Sequence, residues 1–183
     1  MPKPLALLAL ALTILCVSAR ANAQGNTQAA AQATNQATTP PAPTLEFVFE
    51  EIVTLGTDTK VGTTPWGDRN IVPITGGTFA GPRIKGKILP GGWDWQLTTP
   101  GGCFSLHANY MIQADDGAII NVDNKGTFCK SSDGKDPKWL TTPSFEAPKG
   151  PHDWLNGGAF VGTLQGTTLD GKRAVRIRYY QAR

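Results

Sequence analysis

Glycine placement is the feature that most limits what this chain can fold into. Twenty of its 21 glycines lie after Pro43, and they cut the remaining chain into short segments rich in Val, Ile, Thr and aromatic residues. Such segments, bounded by turn formers at regular spacing, read as strands of an antiparallel sandwich or barrel. Strands are expected at 45–55, 70–79, 82–89, 93–99, 103–114, 118–129, 158–166 and 172–181, and no stretch carries a helical stripe of useful length. The expected fold class is all-β, a single antiparallel β-barrel over residues 45–183.

The N-terminus has a different character. A basic start at Lys3 leads into an apolar run from Leu5 to Val17 and an Ala21-Asn22-Ala23 exit, the pattern of a secretory signal peptide over residues 1–23, cleaved after Ala23. The run is shorter than the roughly 18 residues that cross a bilayer, so no membrane span is expected. Leu15 directly before Cys16 argues against a lipid anchor there. Residues 24–44 carry no charge and no aromatic side chain, and cannot bury enough surface to offset their ordering entropy; they read as a disordered linker. A secreted or periplasmic protein is therefore expected. Loss of Lys3 and Arg20 with the signal leaves 15 basic against 14 acidic residues. Only Arg173, Arg176 and Arg178 group together, at a spacing that suits the solvated face of a strand. Without a concentrated positive footprint, nucleic acid is not an expected partner.

Two hairpins can be registered by hand. In 103–114 the even positions Phe104, Leu106, Ala108, Tyr110 and Ile112 are apolar, and the odd ones include His107 and Asn109. Side chains alternate across a strand, so one face is greasy and one polar. Asp115-Asp116-Gly117 is a strong hairpin signal. A turn centred on Asp116 pairs Tyr110 with Val122, Ile112 with Ile120 and Phe104 with Phe128. The same register sets Cys103 opposite Cys129, the only cysteines left after signal removal, and a cross-strand disulfide is expected, with two free thiols as the alternative. On the other side, a turn between Pro100 and Gly101 pairs Trp95 with Leu106 and Leu97 with Phe104. Trp93 and Trp95 are then expected in the core.

Together these registers align Asp94, His107 and Lys125 in one row across three strands, with Asn109 and Asp123 in the next. Opposed side chains stand about 4.5–5.5 Å apart at Cβ. An acid, an imidazole and an amine at that spacing are candidate catalytic residues, His107 as proton carrier and Asp94 orienting it. The plain alternative is a set of cross-strand ion pairs on the outer wall. Gly81 to Lys87 has the spacing of a phosphate loop, but Ile88 stands where Ser or Thr is required and the context is a strand. Cys103 and His107 are about 13 Å apart along one strand, too far for a nucleophile pair. With His107 and His152 the only imidazoles, no zinc site and no cofactor are expected. Trp154 sits in a Pro- and Gly-rich connection and reads as a plug at one barrel end, or as an aromatic wall of a ligand site.

The runs IVPITGGTFAGPRIKGKILPGGWDWQL (71–97), ADDGAIINVDNKG (114–126) and DWLNGGAFVG (153–162) resemble, in order and spacing, the domain of unknown function 3237 family, also called uncharacterised protein family 0311. The resemblance covers about residues 44 to 183. It implies a small antiparallel barrel of calycin-like appearance and no established activity. It also draws attention to Asp94, Asp116, Gly117, Trp154 and Asn156. The family pattern has an acidic residue at the position of His107 and an arginine at that of Asn109, and this chain has lost that pair.

The resulting expectation is an exported barrel that binds a small organic molecule, with non-hydrolytic acid–base chemistry of an isomerase or cyclase kind as its extension. Asp94, His107 and Lys125 would act, and Asn109, Asp123, Trp154 and Asn156 would shape the pocket. The rival is a structural or protein-interaction module of the cell envelope. Cavity volume separates the two.

Overall fold

The computed structural model describes residues 40–183, so the expected signal peptide and all but the last residues of the expected linker lie outside the described residues. Ten strands follow one another: β1 (Leu45–Leu55), β2 (Thr59–Thr64), β3 (Gly67–Ala80), β4 (Lys85–Ile88), β5 (Gly92–Thr98), β6 (Phe104–Ala114), β7 (Ile119–Phe128), β8 (Leu140–Glu146), β9 (Phe160–Leu169) and β10 (Lys172–Ala182). Among the described residues there is no α-helix, only a 3-10 turn at Asp153–Leu155. None of their helices is long and apolar enough to cross a membrane.

The sheet closes on itself because β1 is hydrogen-bonded to β10 on one side and to β3 on the other. From β10 the ring runs through β9, β8 and β7 to β6. It returns to β3 through β4 and β5, which lie end to end between β6 and β3. Counting β4 and β5 as one position gives an eight-stranded barrel, whose interior is just wide enough for side chains or one small ligand. β3 serves different partners along its length because it bends at Gly76 and Gly77, with φ of +133° and +137°. A Cβ on Gly77 would stand 2.0 Å from the Ile52 carbonyl oxygen, so only glycine lets β1 come this close.

Two strands escape the sequence pattern. β2 pairs only with the first half of β3 and is exposed along nearly its whole length, so it carries no inward apolar alternation. β8 contains Pro143, which cannot donate to a ladder. Its pairing with β9 accordingly ends at Thr141, two residues earlier, while it continues along β7 as far as Glu146.

The β6–β7 hairpin has the expected register, with Tyr110 opposite Val122, Ile112 opposite Ile120 and Phe104 opposite Phe128. Cys103 and Cys129 are joined in a disulfide. The β5–β6 register differs by one residue from expectation. Gln96, not Trp95, faces Leu106, and Trp95 faces His107. The cause is the loop. Thr99 N–H donates to Cys103 O at 2.8 Å and Gly102 N–H to Thr99 O at 2.9 Å, leaving three loop residues, with Gly102 at φ +81°. A type I turn closed by a left-handed glycine is the three-residue solution for Pro-Gly-Gly, and its odd length reverses the parity. Trp93 and Trp95 therefore point outward, 44% and 48% exposed, and the tryptophans expected in the core are not in it. Asp94 and Gln96 point in.

One end of the barrel is packed solid. Phe49, Phe145 and Tyr179 meet edge to face with centroids 5.1 to 5.7 Å apart, and Phe160 and Leu155 complete the plug. At the other end the disulfide ties the β5–β6 loop to the start of the β7–β8 loop. Replacing both cysteines by serine, Cys103→Ser with Cys129→Ser, is expected to lower unfolding free energy by about 3 kcal/mol for a cross-link of this span. Urea unfolding of the variant, and of the native chain with and without reductant, measures it; identical midpoints would contradict the bond.

Candidate functional site

The register change decides which polar groups meet. In β5 the sequence Trp93-Asp94-Trp95-Gln96-Leu97 presents its two polar side chains to the interior, where the aliphatic alternation of β6 and β7 has left room beside Ala108. There lies a cavity of about 220 Å³. Val53, Ile74, Leu106, Val175 and Ile177 form apolar walls, and Asp94, Gln96, Tyr110 and Asn124 supply the polar groups. Phe104, Leu164 and Trp139 line the outer part. The Trp139 ring lies 4.5 Å from that of Phe128, directly after Phe104 and Phe128 have stacked beside the disulfide.

Asp94 is buried, and its Oδ2 accepts a 2.7 Å hydrogen bond from Gln96 Nε2, while Oδ1 has no partner. Burial raises its pKa above the ordinary aspartate range, against the opposing pull of the Gln96 amide. Asn124 is fully buried, and neither end of its amide is hydrogen-bonded. A buried polar atom without a partner costs about 1–3 kcal/mol, so three of them around one small space are unusual in a purely structural core.

Below Tyr110 sits a group that the sequence reading did not single out. Glu51 is wholly buried; its Oε2 accepts the Tyr110 hydroxyl at 2.5 Å and the Tyr179 hydroxyl at 3.3 Å, and the two hydroxyl oxygens are 2.9 Å apart. Burial lifts the Glu51 pKa to about 7, although both tyrosines favour its charged form, and burial beside that carboxylate pushes both phenols well above 10. The signal was present in the chain as Glu50-Glu51. A strand that places two carboxylates in succession must aim one inward. Glu50 faces out, towards Arg176 and Arg178 of β10.

The other expected site residues stand elsewhere. The row of Asp94, His107 and Lys125 does not form, because Asp94 lies opposite Ala108 on the inner wall while His107 and Lys125 lie on the outer one. There His107 Nε2 is 2.7 Å from Asp123 Oδ2 and Lys125 Nζ donates to Asp123 Oδ1 at 2.8 Å. Partial burial works against the Asp123 carboxylate, but its bonds from Lys125 and His107 hold its pKa below the usual range. Asn109 is exposed on the same outer wall. Trp154 and Asn156 lie at the closed end, away from the cavity. The Arg83 guanidinium covers the Trp154 ring at 3.8 Å, and the Asn156 amide clamps the Ala147 backbone, accepting from its N–H at 2.7 Å and donating to its carbonyl at 3.0 Å. Asp116 is at this end too, capping Ala118 N–H at 3.1 Å and holding His152 Nε2 at 2.8 Å, next to Gly117 at φ +91°. Of the residues that the family resemblance marks, only Asp94 reaches the cavity; the rest hold the closed end together.

A family model described as "Protein of unknown function (DUF3237)" matches residues 43–182. A UPF0311 protein of Rhodopseudomonas palustris is 36% identical over 135 residues, which is 66% of this chain and 88% of that protein. The crystal structure of a β-barrel-like protein from Acinetobacter baumannii matches with a TM-score of 0.70 at 32% identity, covering 80% of this chain and 99% of that one. A hydroalkoxylation enzyme of Penicillium herquei is 28% identical over 126 residues, 68% of this chain and 76% of that protein.

Raised carboxyl pKa values make a stability prediction. Between the ordinary glutamate pKa of 4.5 and about 7, the folded state holds a proton on Glu51 that the unfolded chain releases, so stability falls as pH rises through that window and levels off above it. The Glu51 contribution is roughly 3 kcal/mol. Asp94 adds to it in the same direction, whereas Asp58, Asp116 and Asp123, whose pKa values are lowered, act below it. Denaturant unfolding at pH 5 and pH 8 should show the native chain weaker at pH 8, with the gap reduced in Glu51→Gln.

Proposed function

The chain belongs to the DUF3237 family, and from the contents of its barrel we propose that it binds a small uncharged organic molecule in the interior and transfers a proton on it, in non-hydrolytic chemistry of the isomerase or cyclase kind. The observation that carries this reading is the unpartnered Oδ1 of Asp94, buried in a mainly apolar cavity of about 220 Å³. That volume is below the roughly 300 Å³ at which drug-sized pockets begin, and above the roughly 150 Å³ that holds benzene in an apolar core. It suits a molecule of one or two rings.

Asp94 is the proton donor in this reading. Burial keeps its carboxyl neutral to higher pH than an exposed aspartate, and Gln96 fixes its orientation. Asn124 would take a polar group of the ligand, while the aliphatic wall turns away charged ones. Kinship with a hydroalkoxylation enzyme supports the reading, because adding an alcohol O–H across a double bond moves protons without hydrolysis. The disulfide, which persists in oxidising compartments, and the signal-like N-terminus support export to the periplasm or the medium. The rival, an interaction module of the cell envelope, draws on Trp93 and Trp95, exposed beside Ile71 and Pro73 of β3.

Native mass spectrometry of the protein purified from its own host tests the choice. A non-covalent small-molecule adduct is expected, and Asp94→Asn should still bind the identified molecule while converting it about 10²–10⁴-fold more slowly, the usual worth of a positioned proton donor. Absence of an adduct, together with a melting temperature that no member of a panel of neutral cyclic compounds moves, would leave the rival standing.

A further inference from the structure

Behind the cavity wall, three oxygens belonging to β1, β6 and β10 form a closed hydrogen-bonded set, and only one of the three residues touches the cavity. Tyr110 lines it; Tyr179 packs its ring against Phe49 and Phe145, and Glu51 is fully buried behind both hydroxyls. We propose that Tyr110 is a second proton-transferring residue of the site, relaying between a hydroxyl on the bound molecule and the carboxyl of Glu51, so that the occupant is a phenol or an enol. This rests on the reading that the cavity binds a small molecule, and it adds the chemical class of that molecule.

The arrangement is more than a structural tie. Tyr110 and Tyr179 already bond each other directly at 2.9 Å, so the two strands are joined without a carboxyl. Placing Glu51 among them leaves its Oε1 with no partner. Apolar side chains of similar size replace buried ionisable groups at little cost or with a gain in stability. The carboxyl is also linked to a cavity-lining residue, through its 2.5 Å bond to Tyr110. Glu51 is faced by Tyr110 from β6 and Tyr179 from β10, while its neighbours in register, Phe79 on β3 and Ile177 on β10, are apolar. Among the described residues no basic side chain hydrogen-bonds it, so the carboxyl exchanges its proton near neutral pH rather than being held as a permanent anion.

The step balances without redox chemistry. The O–H bond of the occupant breaks as its proton passes to the Tyr110 oxygen, and the Tyr110 hydroxyl proton passes at the same time to Glu51 Oε2. Tyrosine is regenerated, a carboxylic acid forms, and the negative charge moves from Glu51 to the oxygen of the occupant. Asp94 faces the same cavity from β5 and can deliver a proton to carbon while this one leaves oxygen. Tyr110 is then a catalytic residue in the strict sense, and Glu51, acting through it, is a positioning residue and proton store.

The test compares 2-naphthol with its methyl ether, two probes of nearly the same shape of which only the first has a hydroxyl, by calorimetric titration of the intact, disulfide-bonded protein from pH 6 to pH 8. The expected result is naphthol binding that tightens about tenfold across this range as Glu51 loses its proton, alongside a flat profile for the ether. That difference should vanish in Tyr110→Phe and in Glu51→Gln and persist in Asp94→Asn. A merely structural role for the triad would lower affinity for both probes alike and leave no pH profile specific to the hydroxyl. Equal, flat binding of the two probes overturns the relay and leaves the binding function intact; a naphthol profile that survives both variants does the same. Failure of both probes to bind overturns both.

Discussion

The double pairing of β1 is the constraint on which the rest depends. Hydrogen-bonded to β10 along nine positions and to β3 along six, it leaves the ring without an open edge. Closure also sets the electrostatics of the interior. Glu51 lies in the middle of β1, and a sheet that failed to close there would leave its carboxyl in water with an ordinary pKa. The barrel thus places one carboxyl of an otherwise mainly apolar strand in a dry compartment that raises its pKa to about 7.

Inside and outside surfaces use the same residue types for different ends. On the outer wall Asp123 bonds His107 and Lys125, and Glu50 meets Arg176 and Arg178, pairs in high dielectric that contribute at most about 1 kcal/mol each. Inside, among the described residues no cationic side chain hydrogen-bonds Asp94 or Glu51; their side-chain bonds come from an amide and two hydroxyls. Keeping them there costs stability, which is the usual mark of a group retained for what it does. The closed end carries most of the residues that the family resemblance marks, Asp116, Gly117, Trp154 and Asn156, and their bonds fasten the β8–β9 connection and the β6–β7 turn. That plug gives the cavity a floor, and the disulfide with Phe104, Phe128 and Trp139 shapes its rim.

Much of this was legible in the chain. Strict alternation in β6 and β7 with Asp-Asp-Gly between them specified a register, and the disulfide followed from it. The β5–β6 pairing was not legible by the same rule. Reading Trp93, Trp95 and Leu97 as the buried face assumes that greasy side chains point inward, and β5 instead turns Asp94 and Gln96 to the interior. The turn held the contrary information, since Pro100-Gly101-Gly102 with a left-handed final glycine makes an odd loop. β8 was hidden by Pro143 and β2 by its lack of a buried face. Glu51 could have been found from Glu50-Glu51 within an apolar strand, whereas its contact with Tyr110 and Tyr179 joins residues 59 and 128 positions apart and needed the closed topology.

Barrel closure raises the pKa of the interior carboxyls, that of Glu51 to about 7, while on the outer wall Asp123 is held below the ordinary range. Carbon NMR titration of the labelled carboxyl groups, assigned through Glu51→Gln and Asp94→Asn, reads this directly. The expected midpoints are about 7 for Glu51, above the ordinary 3.8 for Asp94 and below it for Asp123. A Glu51 resonance that titrates at the ordinary 4.5 would contradict this, because that carboxyl would then be in contact with water.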